Sequence, residues 1–140
     1  MYILYFIIYS FIGWILDTGY RSLLVKEFAP NAVTIFPFTP IYGFGALLIL
    51  LIYPAIQHLN VFLQFLLFAV ILTLLEYLGG VLTLHFLGRR LWDYSYMPLN
   101  FQGHISLLHA LFWGALALLF VTYIHPPIQQ TIQSFFLNRT

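Results

Sequence analysis

With 140 residues, 62% of them hydrophobic and only 6% charged, the chain falls far below the roughly one quarter of charged residues that soluble domains carry, so lipid is its expected solvent. Its net charge of +1 provides no clustered basic face for nucleic acid, and the lack of cysteine excludes disulfides, thiolate metal sites and thiol chemistry. At roughly 20 residues per crossing, the length accommodates about four or five passes and no separate soluble domain.

The opening Met1-Tyr2-Ile3-Leu4-Tyr5 lacks the basic region and small-residue cleavage site of a signal peptide, so it is expected to stay as the start of a first helix over about residues 2–24. That helix is apolar until Asp17 and Arg21, which makes its far end polar. Residues 25–39 contain Lys26, Glu27, Pro30 and Pro37, which break a helix. Val33, Ile35, Phe36 and Phe38 keep this stretch greasy, and it reads as an interfacial or re-entrant connection.

Pro40 suits a helix first turn, and a second helix is predicted over 41–56, with Gly43, Gly45 and Ala46 permitting close contact. Gln57, His58 and Asn60 form an uncharged turn before a long third helix over 61–87, whose length implies tilt. Gly88, Arg89 and Arg90 end it. A polar-aromatic loop over 91–103 leads to a fourth helix over 104–124, stopped by His125-Pro126-Pro127. The remainder, 128–140, reads as a short segment on the membrane surface. The expected fold is an all-α integral membrane protein, a bundle of about four transmembrane helices.

Four helices place the first and third loops on one side of the bilayer and both termini on the other. The loop side holds Arg21, Lys26, Arg89 and Arg90, whereas the terminal side holds Arg139. By the positive-inside rule the loops are cytoplasmic and the termini outside, in what we expect to be a bacterial cell membrane.

Glu76 is the sharpest feature. It lies fifteen positions after Val61, about 22 Å along the third helix and well inside the hydrocarbon. Such a residue is costly and faces the bundle interior. Its neighbours at helical spacing, Thr73, Gly79, Gly80 and Thr83, make a narrow small-and-polar stripe. It reads either as a buried acid that fixes packing by pairing with a base, for which Arg21 is the partner to expect, or as a functional group, the reading favoured here. Asp17 and Arg21 are four apart, a spacing for an intrahelical pair that an interfacial snorkelling pair would also show.

Position along the chain brings these groups toward one membrane face. Asp17 and Glu76 both come late in outbound helices, the third loop adds Arg89, Arg90 and Asp93, and the fourth helix adds His104 and His109. Ser106, His109 and Trp113 share a face that can meet Glu76. His109 reads as a packing histidine or a proton-transfer group, and His85, nine residues beyond Glu76, sits on the opposite face at the interface. No HExxH-type or paired-acid spacing supports a metal, no GxSxG elbow surrounds Ser95 or Ser106, and no Walker sequence is present. ATP hydrolysis would therefore belong to another polypeptide, and no cofactor is expected.

Several blocks occur together in order: Gly13-Trp14-Ile15-Leu16-Asp17 with Tyr20-Arg21, Pro40-Ile41-Tyr42-Gly43-Phe44-Gly45, Leu75-Glu76-Tyr77, Trp92-Asp93-Tyr94-Ser95, Asn100-Phe101-Gln102-Gly103 and Phe112-Trp113-Gly114. Over about residues 5–126 the chain resembles the putative ABC-transporter type IV family, the CmpB-like permeases. The family pattern has an acid, usually glutamate, where Asp17 stands, and it matches at Arg21, Glu76 and residues 92–95. The resemblance therefore implies function at those positions. The Trp-Asp-Tyr-Ser block also has an interfacial anchoring role in reach, or it is a lid with Asp93 paired to Arg21, Arg89 or Arg90.

The candidates for substrate binding or proton coupling are Asp17, Arg21, Glu76, Asp93, Arg89, Arg90, Asn100 and His109. The favoured reading is a small-solute transport or permease component with a polar pocket open to one face. Four helices are few for a complete pathway, so a homo-oligomer or another membrane subunit is expected as partner, with room for a separate ATPase subunit. The alternatives are an intramembrane enzyme acting on a lipid or isoprenoid, for which no catalytic signature speaks, and a non-catalytic assembly subunit.

Overall fold

The computed structural model describes residues 1–29 and 37–137. Helix α1 spans Tyr2–Val25, α2 Pro40–Ile56 and α3 Val61–Leu87; a loop with a minimal hairpin, β1 Asn100–Phe101 and β2 Ile105–Ser106, leads into α4 Leu107–Leu119, a π-helical turn Phe120–Ile124 and α5 His125–Leu137. Three helical stretches, Tyr2–Val25, Val61–Leu87 and the continuous Leu107–Phe136, are long and apolar enough to cross a membrane, and α2 is a shorter apolar helix. The molecule is an all-α integral membrane protein. The interfacial or re-entrant reading of the first loop falls largely on residues 30–36, and Arg139 lies past residue 137, so both are outside the described residues.

The starts of α2, α3 and α4 follow their local chemistry. Asn60 caps α3 by accepting from the Leu63 amide at 3.0 Å, Pro40 occupies the first turn of α2, and Ser106 caps α4 by accepting from the His109 amide at 3.3 Å. That cap moves the fourth helix start from the expected 104 to Leu107, because His104 to Ser106 are spent on the hairpin. Gly88, with φ 64°, closes α3 as its amide donates a hydrogen bond to the Leu84 carbonyl at 3.0 Å.

The fourth helix differs from the sequence reading at its other end. His125-Pro126-Pro127 does not stop it. Pro126 and Pro127 fall in the first turn of α5, where a missing N–H costs little, and the wide turn at Phe120–Ile124 absorbs the interruption. The residues expected to form a separate short segment instead continue the helix, and Ile132 is buried.

Packing is built on small residues, as expected where no hydrophobic effect drives helices together in lipid. On α1 against α2, a methyl on Gly13 would strike the Tyr42 ring and one on Gly43 the Ser10 hydroxyl and Phe6. The Thr39 amide donates to the Ser10 carbonyl at 3.1 Å. On α3 against α4, Gly114 sits so close to Phe65 that an added Cβ would be 2.9 Å from its ring and its carbonyl. The two pairs join through α2 and α3 around Phe68, Leu72, Ala46 and Ala117.

Candidate functional site

Glu76 lies on the inner face of α3 and is 2% exposed. Its Oε1 accepts from the Tyr94 hydroxyl at 2.9 Å. The indole of Trp113, on α4, faces the same carboxylate, yet its Nε1 and Glu76 Oε2 are each buried and outside hydrogen-bond geometry with any described residue. The indole N–H and the carboxylate oxygen are thus a buried donor and acceptor beside each other, a small shift short of a hydrogen bond.

Tyr94 reaches this depth because the 88–106 loop folds inward. The Tyr94 amide donates to the Gly103 carbonyl at 2.8 Å, and the His104 amide to the Phe101 carbonyl at 3.1 Å. Gln102 and Gly103 both have positive φ, 53° and 69°, the signature of a tight hairpin turn, within the three-residue connection between the paired Phe101 and Ile105. Trp92 Nε1 donates to the His104 carbonyl at 2.9 Å. Gly80 on α3 leaves space for the His104 ring, which would lie 2.6 Å from a Cβ there. Burial, then the Arg90 guanidinium, hold the His104 imidazole below its ordinary pKa of 6.5, with Asp93 opposing. Burial and then the neighbouring Glu76 push the Tyr94 phenol well up, so it stays a neutral donor.

The ring of Tyr94 also stacks on His109, centroids 3.8 Å apart and planes 15° off parallel. His109 is buried, and its Nδ1 is 2.8 Å from the Ser106 hydroxyl. Tyr94 therefore connects Glu76 on α3 with His109 on α4.

At the loop end of α1, Arg21 Nε donates to Asp17 Oδ2 at 3.2 Å and Arg21 Nη2 to the Leu91 carbonyl at 3.2 Å. The pair expected from the four-residue spacing is present, whereas the pairing of Glu76 with Arg21 is not: the loop supplies Tyr94 to the acid and the Leu91 carbonyl to the base. Asp93 is exposed. Hydrogen bonds from the Ser95 hydroxyl and amide, more than the Arg90 charge, hold its carboxyl below the usual range. Its distance to Arg90 Nη1 is 3.8 Å, and Arg90 also donates to the Gln102 carbonyl at 2.8 Å. Of the three bases suggested as partners for Asp93, Arg90 is the one beside it.

Two adjoining cavities meet at these side chains. The larger, about 770 Å³, lies between α1 and α4 beneath the loop and includes Asp17, Arg21, Arg90, Asp93 and His109 in its wall. The other, about 350 Å³, reaches Glu76, Asp17 and Arg21 from the α2 and α3 side. Tyr42, Tyr94, Trp92 and Trp113 line both. A narrow apolar slot of about 70 Å³ runs on from Glu76 and Trp113 toward Tyr9 and Phe120. Tyr9 donates to or accepts from His125 Nδ1 at 2.7 Å beyond it.

Six of the eight candidate residues, Asp17, Arg21, Glu76, Arg90, Asp93 and His109, thus border these two adjoining cavities. Arg89 is exposed outside it. Asn100 is occupied in the hairpin, donating to the Met97 carbonyl at 2.8 Å and accepting from the Gly103 amide at 3.0 Å. His104 packs under the loop instead of lining the space, and His85 is exposed in the last turn of α3. Sequence reasoning passed over Tyr42 and Tyr94 as site residues, although the first lies in a glycine-rich helix start and the second in the Trp-Asp-Tyr-Ser block. An aromatic with a polar tip next to small residues was the available signal.

A family model described as putative ABC-transporter type IV matches residues 4–139. No curated protein and no solved structure matches the chain.

Proposed function

Because the chain belongs to the putative ABC-transporter type IV family, we propose that it is the membrane-embedded component of a small-solute transport system, with Glu76 as the group that meets the solute or the coupling proton. The observation that carries this reading is a 2% exposed carboxylate, one oxygen of it outside hydrogen-bond geometry, that lines both the cavity of about 350 Å³ and the narrow apolar slot. An intramembrane acid kept at such cost is a functional group by default. Asp17 and Arg21 form the polar mouth beside it, and the 88–106 loop acts as the lid. Arg21, Arg89 and Arg90 support a cytoplasmic location for this mouth and an outside location for the termini. Four helices supply little wall for a full pathway, so a second copy or another membrane subunit completes it, with ATP hydrolysis supplied by a separate subunit.

The test is release from vesicles. Proteoliposomes loaded with a mixture of labelled sugars, amino acids and amines should lose at least one solute faster with wild-type protein than with Glu76→Gln. Equal release of every solute by the two proteins overturns the assignment of Glu76.

A second reading rests on the side of the larger cavity between α1 and α4, where Leu16, Leu24, Phe112 and Leu119 are both cavity wall and exposed. An aliphatic chain entering from the bilayer would find an apolar slot below the polar mouth, which is the shape an enzyme acting on a lipid or isoprenoid needs. A lipid profile altered by deletion and restored by wild type, but not by Asp93→Ala, would favour this reading over transport.

A further inference from the structure

We propose that the space around Glu76 is a binding site for an organic cation, an alkylated or protonated amine whose nitrogen sits between the Glu76 carboxylate and the aromatic side chains of Tyr42, Tyr94 and Trp113. This inference rests on the transport reading for its consequence but not for its geometry.

The charges lining the joined cavities decide the sign of the ligand. They are the carboxylates of Asp17, Glu76 and Asp93 and the guanidinium groups of Arg21 and Arg90. Each base already has an acid beside it, Asp17 for Arg21 at 3.2 Å and Asp93 for Arg90 at 3.8 Å. Glu76 is left without a basic group among its described hydrogen-bond partners. An anionic ligand would have to break one of those pairs and approach an acid, whereas a cation completes the remaining one.

The walls decide its kind. A small hydrated metal ion needs several oxygen ligands, and no group of three or more acids or histidines able to hold one is found among the described residues. Aromatic side chains stand around Glu76: Tyr42 meets Trp113 edge to face at 5.5 Å between centroids, Tyr94 donates to Oε1, and Trp92 is among the residues lining the smaller cavity. Aromatic faces around one acid attract a weakly hydrated organic cation through the ring quadrupole, most strongly where water is excluded. Oε2 offers the acceptor that a protonated amine would use, and a quaternary ammonium would be held by charge and ring faces alone. The adjoining volume of about 350 Å³ falls within the usual range of small-molecule sites, about 300–1,000 Å³.

The test uses benzyltrimethylammonium as probe, with neopentylbenzene as its uncharged isostere and benzenesulfonate as an anion, titrated against the full chain in nanodiscs by calorimetry and tryptophan fluorescence. Benzyltrimethylammonium should bind wild type, and binding should weaken roughly tenfold or more in Glu76→Gln and in Trp113→Leu. Glu76→Asp, which keeps the charge, should recover part of it, and circular dichroism of each variant checks that the fold is retained. Absence of binding to wild type, equal binding of the isostere or the anion, or indifference to Glu76→Gln overturns the proposal. If the cation binds as expected but no vesicle releases any solute, the transport reading fails and the site stands. If Glu76-dependent release occurs while no cation binds, the cation assignment fails and the transport reading stands.

Discussion

Tyr94 makes the one hydrogen bond between a described side chain and the Glu76 carboxylate that meets ordinary geometry. Tyr94→Phe preserves the stack on His109 but leaves both carboxylate oxygens unbonded, so it should cost about 1–3 kcal/mol of stability, measured by thermal unfolding in detergent. Tyr94→Leu should cost more, since it also removes the ring. His104 makes a different demand. Its folded pKa is depressed by burial and by Arg90, so the fold accommodates the neutral imidazole. Stability of the loop should be constant above the unfolded value near 6.5 and fall as the pH drops from there toward the depressed folded value. The protection factor of the Tyr94 amide, which divides out the intrinsic pH dependence of exchange, should therefore fall between pH 7.5 and 5 in wild type and stay flat in His104→Phe; the same slope in both would remove His104 as the cause. Asp93 titrates below the usual carboxylate range, so its contribution is lost only at lower pH, outside that window.

At the scale of elements, close packing of helices depends on where a glycine faces a neighbour. Gly114→Ala would force the Cβ to 2.9 Å from the Phe65 carbonyl and ring, separating α3 from α4 at a cost of about 1–3 kcal/mol. Gly19, on α1, has nothing within 4 Å of an added Cβ, so Gly19→Ala should be neutral or stabilising by up to about 1 kcal/mol through its better helix propensity. Unfolding curves of the two variants under the same detergent conditions check the contrast, and similar losses in both would contradict it. Helix type and most boundaries were legible from apolar run lengths and from Pro40, Asn60 and Gly88. The two departures, a later start of the fourth helix and its continuation past Pro126-Pro127, share one cause. Local signals mark where a helix can begin or end, and the surrounding backbone decides whether it does. Here the hairpin takes His104 to Ser106, and the π-helical turn before the prolines provides the slack that lets the helix go on.

For the molecule as a whole, the hydrogen bond from Arg21 at the end of α1 to the Leu91 carbonyl beyond α3 puts the ends of these two helices together. With the positive-inside rule, this predicts that a cysteine placed at Tyr96 reacts with a thiol reagent only from the cytoplasmic side, and one at Asn60 only from outside. The absence of native cysteine leaves no background labelling, and the reverse pattern would invert the orientation. Composition and run length by themselves determined that this chain lives in lipid, is helical, and keeps one acid deep in a helix, because the cost of charge in hydrocarbon is steep enough to be read from one residue's position. Apart from α3, where Glu76 marked the inner face, which face of each helix turns inward was not decided that way: helices apolar all round carry little rotational signal, and their orientation comes from matching small residues to bulky ones across the interface. The partner of Glu76 was likewise settled by tertiary structure, since a tyrosine eighteen residues away reaches the acid only once the loop has folded back over the bundle.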